Sequence, residues 1–144
     1  MQRHEALAPL SREHHGTLML AQLLKKNAPE YKGLPTNATD KAAYAWKQFE
    51  EIIRDHFQQE EIVLEKVKDC HDDIKSLAVE IIQEHRQLTA MFLSLHAATQ
   101  PEDTMDKLAI ALNEHIRKEE RVLFPLIQEH CPDALLQQIH VDLH

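Results

Sequence analysis

Residues 56–64 read HFQQEEIVL, and residues 115–123 read HIRKEERVL. Both segments share the pattern His-x-x-x-Glu-Glu-x-Val-Leu, and both lie in stretches whose apolar residues recur every three to four positions. That spacing places apolar side chains on one face of an α-helix. The chain therefore contains an internal repeat of two helical hairpins, and the repeated segment belongs to the second helix of each hairpin.

Clusters of turn residues divide the chain into long helical stretches. We place the four helices at about 11–26, 41–68, 73–98 and 104–130. Ser11 and Asp40 are the expected N-caps of the first two, which are joined by a loop rich in Pro and Gly at 27–37. Pro125 is expected to kink the fourth helix, because it lacks a backbone donor. A short terminal helix is predicted over about 134–143.

These elements predict an all-α protein, an antiparallel up-down four-helix bundle in which residues 1–144 form a single domain. The low content of glycine (two residues) and of aromatic residues (5%) agrees with an all-α fold, since β-hairpins need more of both. The net charge of -8 argues against a nucleic-acid partner and an anionic membrane surface. We expect a cytoplasmic protein, because the sequence shows no signal peptide, no spanning apolar run and no disulfide framework.

The repeated histidine and the first repeated glutamate lie on the apolar faces of their helices. The second-helix stripe is Phe49, Ile52, His56, Glu60, Val63 and Val67, and the fourth-helix stripe is Leu108, Ala111, His115, Glu119, Val122 and Leu126. A buried carboxylate is costly unless it is paired or binds a metal. Because this happens twice, one turn after a histidine, the pattern predicts a metal site. Charge runs such as Glu50-Glu51 and Glu119-Glu120 are otherwise interpreted as solvated faces.

The first and third helices each add an inward histidine. His85 shares its stripe with apolar residues at 78, 81, 88 and 92. In the first helix His14 shares a face with Leu10 and Leu18, whereas the adjacent His15 lies on the polar side and stays an alternative. Imidazole and carboxylate donors without thiolate suit iron, manganese or zinc. The candidate metal ligands are His14, His15, His56, Glu60, His85, His115 and Glu119.

This set resembles the hemerythrin-like family, the four-helix cation-binding proteins named after a His–His–Glu pattern. The resemblance spans about 11 to 130 and is carried by Glu13-His14-His15, His56-x-x-x-Glu60, Glu84-His85 and His115-x-x-x-Glu119. It implies a centre of two non-haem iron ions (Fe2+/Fe3+), joined by two carboxylates and an oxo or hydroxo bridge. Manganese or zinc are the expected substitutes for iron.

The chain departs from the pattern of oxygen-carrying hemerythrins at two places. Those carriers have a further histidine one turn after the third-helix ligand, where this chain has Thr89. Their fourth-helix carboxylate also follows its histidine by five residues, whereas Glu119 follows His115 by four. Two octahedral ions offer about twelve positions, of which these ligands and the bridge leave about two open. Reversible bulk oxygen carriage is therefore not expected.

We expect a protein that binds or senses a small ligand (O2, nitric oxide or peroxide) at a di-iron centre, rather than a turnover enzyme. One alternative is iron storage, donation or sensing. Another is a regulatory interaction domain in which the metal only staples the bundle. No nucleophile triad, phosphate-binding Gly loop or dinucleotide fingerprint supports a hydrolase or a dehydrogenase.

Cys70-His71 and His130-Cys131 follow the two repeats at equivalent places. The second and fourth helices run parallel, so both dipeptides are expected at the same end of the bundle. Because these helices are diagonal neighbours, we predict that the thiols are far apart, free and exposed. A redox-sensitive pair or a second, soft-metal site is the alternative.

Overall fold

The computed structural model describes residues 2–97 and 101–144, and within that part all regular structure is helical. Helix α1 is Ala8–Leu24, α3 is Asp72–Ser94 and α5 is Asp133–Leu143. Helix α2 comprises Ala38–Gln48, a π-helical turn Phe49–Ile53, and Arg54–Val67. Helix α4 comprises Pro101–Lys118, a π-helical turn Glu119–Leu123, and Phe124–His130. Helices α1 and α3 each pack against both α2 and α4, which confirms the predicted bundle.

The helices begin earlier than their predicted caps. Helix α1 begins at Ala8, so Ser11 lies inside it and is not the cap. The cap of α2 is Asn37, whose side-chain oxygen accepts the Asp40 N–H at 2.9 Å while its amide donates to the Asp40 carboxylate at 2.8 Å. The predicted end of the third helix, residue 98, lies outside the described residues. No helix in the described ranges is both long and apolar enough to cross a bilayer.

A layer of polar side chains divides the buried core in two. On one side is the terminal cluster, which includes Leu64, Ile81, Ile127 and Ile139. On the other is the loop cluster, which includes residues 49, 92 and 112. Each fully buried side chain of this kind stabilises the fold by about 1.5–3 kcal/mol. The two clusters therefore hold the intervening layer in place, and its members are His14, Thr17, His56, Glu60, His85, His115 and Glu119.

The two π-helical turns explain where the predicted apolar stripes are wrong. Ile52 and Val122 are each 44% exposed, whereas Ile53 and Leu123, one residue later, are buried. In each turn a backbone N–H bonds to the carbonyl five residues earlier, from Arg54 to Phe49 and from Phe124 to Glu119. The turn holds one extra residue, so the buried face shifts by one position, which a 3.6-residue period does not anticipate.

The N-terminal segment compensates for Pro125, the residue at which a kink was predicted. Pro125 has no N–H, so the Glu120 carbonyl, five residues earlier in a π-helical pattern, finds no donor there. Arg3 supplies one, because its Nη2 donates to that carbonyl at 3.0 Å. The same Nη2 lies 3.1 Å from the Glu120 carboxylate. Arg3 thereby fixes both the backbone and the side chain of Glu120.

Candidate metal centre

Four histidines, one from each long helix, converge in the polar layer. The rings of His14 and His56 lie edge to face, with centroids 4.9 Å apart and an interplanar angle of 61°. The rings of His85 and His115 are 5.0 Å apart at the same 61° angle. The two halves of the sequence repeat therefore build two equivalent histidine pairs.

Glu60 lies between the two pairs. Its Oε1 is 3.1 Å from His56 Nε2 and 3.3 Å from His85 Nε2. Its Oε2 is 3.7 Å from His14 Nε2. This carboxylate, which is 2% exposed, therefore contacts histidines from both halves of the chain.

Glu119 has the corresponding place in the second repeat. Its Oε1 is 2.8 Å from His115 Nε2 and 3.5 Å from His14 Nε2, so it too joins the two halves. The candidate donor atoms form two groups, which share Glu60. One group is Glu60, His85, His115 and Glu119, and the other is His14, His56 and Glu60.

The atoms that face this centre are buried and have no hydrogen-bond partner. They are the Nε2 atoms of all four histidines and both oxygens of Glu60 and Glu119. Leaving one buried polar group unpaired costs about 1–3 kcal/mol, and more for a charged group. Donors bound at right angles to a cation about 2.1 Å away lie about 3 Å apart, close to the separations seen here. The residues therefore fit metal cations, and their N/O chemistry suits iron, manganese or zinc.

Each histidine uses its other ring nitrogen to contact a carboxylate on a neighbouring helix. The Nδ1 distances are 2.7 Å for His14 to Glu120, 3.4 Å for His56 to Glu13, 2.8 Å for His85 to Glu61 and 2.8 Å for His115 to Glu84. Each carboxylate lies on the helix before that of its histidine: α1 to α2, α2 to α3, α3 to α4 and α4 back to α1. The four contacts therefore close a ring around the bundle. A proton held on Nδ1 leaves the Nε2 lone pair free to face the centre.

Sequence reasoning missed these four outer carboxylates. The run Glu119-Glu120 was interpreted as a solvated face, yet Glu120 is only partly exposed and holds a histidine. A signal was present, because Glu61 and Glu120 are the second members of the repeated Glu-Glu doublets. Glu13 and Glu84 each directly precede an inward histidine. One residue turns a helical side chain by about 100°, so these neighbours of the inner donors point toward the adjacent helix.

A protein-family model matches most of this chain. The model described as the Hemerythrin HHE cation binding domain matches residues 5–127, which is most of the chain. The chain belongs to this family. The match spans both repeats and all four long helices, and it confirms the resemblance read from the sequence. Comparisons with curated proteins and with solved structures found no match.

In this HHE domain His14, and not His15, faces the other candidate donors. The His14 side chain is buried and stacks on Phe124, with centroids 5.9 Å apart and an interplanar angle of 7°. His15, the alternative first-helix candidate, is exposed and belongs to neither donor group. The other six predicted residues come together. The Thr89 hydroxyl is occupied by a hydrogen bond that it donates to the His85 carbonyl at 2.7 Å.

The two histidine pairs of the HHE centre differ electrostatically. Burial opposes protonation of His14, but the carboxylates of Glu120 and Glu60 outweigh it and raise the His14 pKa to about 9. Burial also favours neutral Glu60, yet the histidines around it hold the pKa of that carboxyl well below its ordinary value. At His115 burial dominates over the hydrogen bond to Glu84 and lowers the pKa.

Metal affinity of this HHE domain is expected to rise with pH from about 6.5 to about 9. Metal-free His14 stays protonated up to a pKa of about 9, above its ordinary 6.5, and a cation must displace the Nε2 proton. Below that pKa, affinity should fall about tenfold per pH unit for each displaced proton. Calorimetric zinc titrations in buffers of different ionisation enthalpy measure the protons released. Release of less than about half a proton at pH 7 would contradict the prediction.

The same raised pKa has a second consequence for the metal-free HHE domain. Protonated His14 stabilises the fold, and this contribution is complete below about pH 6.5 and lost as the pH rises through about 9. Thermal melts of the metal-free protein between pH 6 and pH 10 should show the loss. In the metal-loaded protein a cation replaces the proton, so the alkaline loss should be absent.

Glu61→Gln is expected to weaken metal binding by about 10–100-fold without abolishing it. The substitution replaces the carboxylate at 2.8 Å from His85 Nδ1 with a weaker acceptor. Glu13→Gln should have a smaller effect, because Glu13 lies 3.4 Å from His56. Glu65→Gln, an exposed position one turn after Glu61, is the matched control. Competition with a chromophoric chelator gives each Kd, and equal values for the Glu61 and Glu65 variants would rule out the positioning role.

Proposed function

We propose that this HHE domain holds two iron ions and binds a small ligand, O2, nitric oxide or peroxide, beside them. The supporting observation is the two equivalent histidine pairs, whose donor groups share Glu60. His14 and His56 would hold one ion and His85, His115 and Glu119 the other, with Glu60 shared between the two. Iron supplies one-electron redox chemistry and affinity for diatomic ligands, whereas manganese or zinc would fit the same donors.

The donor count and the space beside the donors support a ligand of diatomic size. Four nitrogens and four carboxylate oxygens would fill eight of about twelve positions around two octahedral ions. A cavity of about 10 Å³, the space open to the centre of a water molecule, adjoins them. That is about the room one water needs, which supports a ligand of diatomic size. Its lining includes His14, Thr17, His56, Phe57, Leu112, His115, Ile116 and Glu119.

The chain's own residues hold protons and exclude solvent around this cavity. The Phe57 ring stacks on His85 at a centroid distance of 4.1 Å and shields that side. Glu120 accepts hydrogen bonds from Ser11 Oγ at 2.7 Å and contacts His14 Nδ1 at 2.7 Å. Burial disfavours charge on Glu120, but His14, Ser11 and Arg3 outweigh it and lower the Glu120 pKa. An ionised Glu120 therefore links the buried His14 to the partly exposed Ser11 and keeps the Nδ1 proton in place.

The test loads the full chain with ferrous iron without oxygen and then admits O2, nitric oxide or peroxide in separate samples. We expect two irons per chain and a change in the visible or near-ultraviolet spectrum with at least one ligand. His14→Asn should lose iron and the response, whereas His15→Asn, its exposed neighbour, should keep both. No more than one metal per chain, or no spectral change with any of the three ligands, would overturn the proposal.

Iron storage, donation or sensing is the second candidate. It is favoured by the unpaired buried donor atoms, which tie the stability of the fold to metal occupancy. Weak, exchangeable iron with metal-dependent melting and no ligand response would select this function. A tightly held metal inert to ligands would instead select a metal-stapled interaction domain. Both alternatives suit a reducing compartment, and the cytoplasm remains our prediction.

A further inference from the structure

Two free cysteines lie at one end of the bundle, at the terminal cluster. Cys131 is 7% exposed and belongs to the cluster, and Cys70 is partly buried against it. Burial, and after it the neighbouring Cys70 thiol, raises the Cys131 pKa to about 12. Next to the thiols, the rings of His71 and His130 stack with centroids 4.0 Å apart.

The prediction that diagonal helices keep these thiols far apart and exposed is therefore wrong. Neither cysteine lies in the straight part of its helix. A 3₁₀ turn at Lys68–Cys70 follows α2, and Cys131, the residue after α4, is in an extended conformation. The chain leaves the helix axis at both positions, which brings the two ends together across the bundle.

We propose that Cys70 and Cys131 are a hydroperoxide-reactive dithiol site that closes to an intramolecular disulfide. Cys70 packs against the cluster that holds Cys131, the rings of their neighbours His71 and His130 stack, and Cys70 is the more accessible of the two cysteines. Within residues 2–97 and 101–144, the groups of three or more metal-donor atoms are those of the HHE centre. His71 is also engaged, since its Nδ1 accepts the Asp73 N–H at 3.0 Å and caps α3.

The reaction converts two thiols and one hydroperoxide into a disulfide, an alcohol and water. The more accessible Cys70, as its thiolate, attacks the terminal peroxide oxygen, the O–O bond breaks, and the alkoxide takes a proton and leaves as the alcohol. Cys70 is then a sulfenic acid. The Cys131 sulfur attacks the Cys70 sulfur, and the displaced hydroxide takes the Cys131 proton and leaves as water. The sulfurs lose two electrons in total and the peroxide gains two.

This site is separate from the metal centre. Cys70 follows Glu60 by ten residues and Cys131 follows Glu119 by twelve, which along a helix corresponds to about 15–18 Å. A disulfide would close a loop over residues 70–131, which holds α3 and α4. Cross-linking a loop of this size removes conformational freedom from the unfolded chain. Oxidation by peroxide would therefore increase the thermal stability of the bundle.

The test treats the full chain, as purified and after metal removal, with one equivalent of hydrogen peroxide. We expect both thiols to be lost, a peptide cross-linked between Cys70 and Cys131 on non-reducing mapping, and a Tm raised by about 5–10 °C. Dithiothreitol should reverse all three changes. Two titratable thiols after treatment, a disulfide between chains, or oxidation of one sulfur without the cross-link would each overturn the proposal.

Two variants test the order of the steps. In Cys131→Ala, peroxide should leave Cys70 as a sulfenic acid that dimedone traps, because no second thiol resolves it. In Cys70→Ser, the rate at which peroxide consumes the remaining thiol should fall at least tenfold. Equal rates for wild type and Cys70→Ser would reverse the assigned roles and contradict the proposal. The cross-link in the unmodified chain decides the main point even where a variant fails to fold.

Discussion

Glu60→Gln will lower the metal affinity of this HHE domain by at least about 10³-fold and reduce its content to one ion per chain or fewer. Glu60 is the residue shared by both donor groups, so its loss removes an oxygen donor and a negative charge from each. A 10³-fold change corresponds to about 4 kcal/mol. Metal analysis of dialysed protein gives the stoichiometry, and competition titration gives the affinity.

Two other glutamates of this protein provide controls for Glu60→Gln. Glu65→Gln, exposed on the same helix, should leave the affinity and the stoichiometry unchanged. Glu119→Gln should keep one ion, because Glu119 belongs to only one of the two donor groups. If Glu60→Gln still bound two ions with the wild-type affinity, the carboxylate would be a packing residue and the shared site would be wrong.

The bundle and the six inner donors were predictable from the sequence because the signals are local. A helix places residues four apart on one face whatever surrounds it, so His56 and Glu60 share a direction before any tertiary contact forms. Because the same His-x-x-x-Glu pattern occurs in both repeats, a chance occurrence was a poor explanation for it. Even His14 could be preferred over His15, since only His14 continues the apolar stripe of α1.

The missed features depend on relations between helices. That Glu61 reaches His85 follows from the packing of α2 beside α3, which no spacing within α2 contains. The exposure of Ile52 and Val122 follows from π-helical turns, which change the register without a sequence signal as plain as proline. The two cysteines come near each other where two helices have ended, and helical geometry no longer predicts positions there.

Removing the metal will lower the Tm of this HHE domain by more than about 10 °C while leaving the bundle folded. An ion at a thousand times its Kd stabilises the folded state by about 4 kcal/mol, and each kcal/mol corresponds to about 3 °C at this chain length. In the metal-free protein the four Nε2 atoms and four carboxylate oxygens stay buried without hydrogen bonds. Calorimetric melts of metal-free and zinc-loaded protein measure the difference, and identical Tm values would contradict a metal site in the polar layer.

The fold should survive because the polar layer separates two apolar clusters that need no metal. The loss of stability should therefore be local, and hydrogen exchange should accelerate most at the amides around Glu60 and Glu119. Amides around Ile81 and Phe92, one in each cluster, should keep most of their protection. In Glu60→Gln, zinc should no longer raise the Tm, because stabilisation follows metal occupancy. A metal-free protein that lost all helical structure would instead show that the apolar clusters cannot hold the bundle alone.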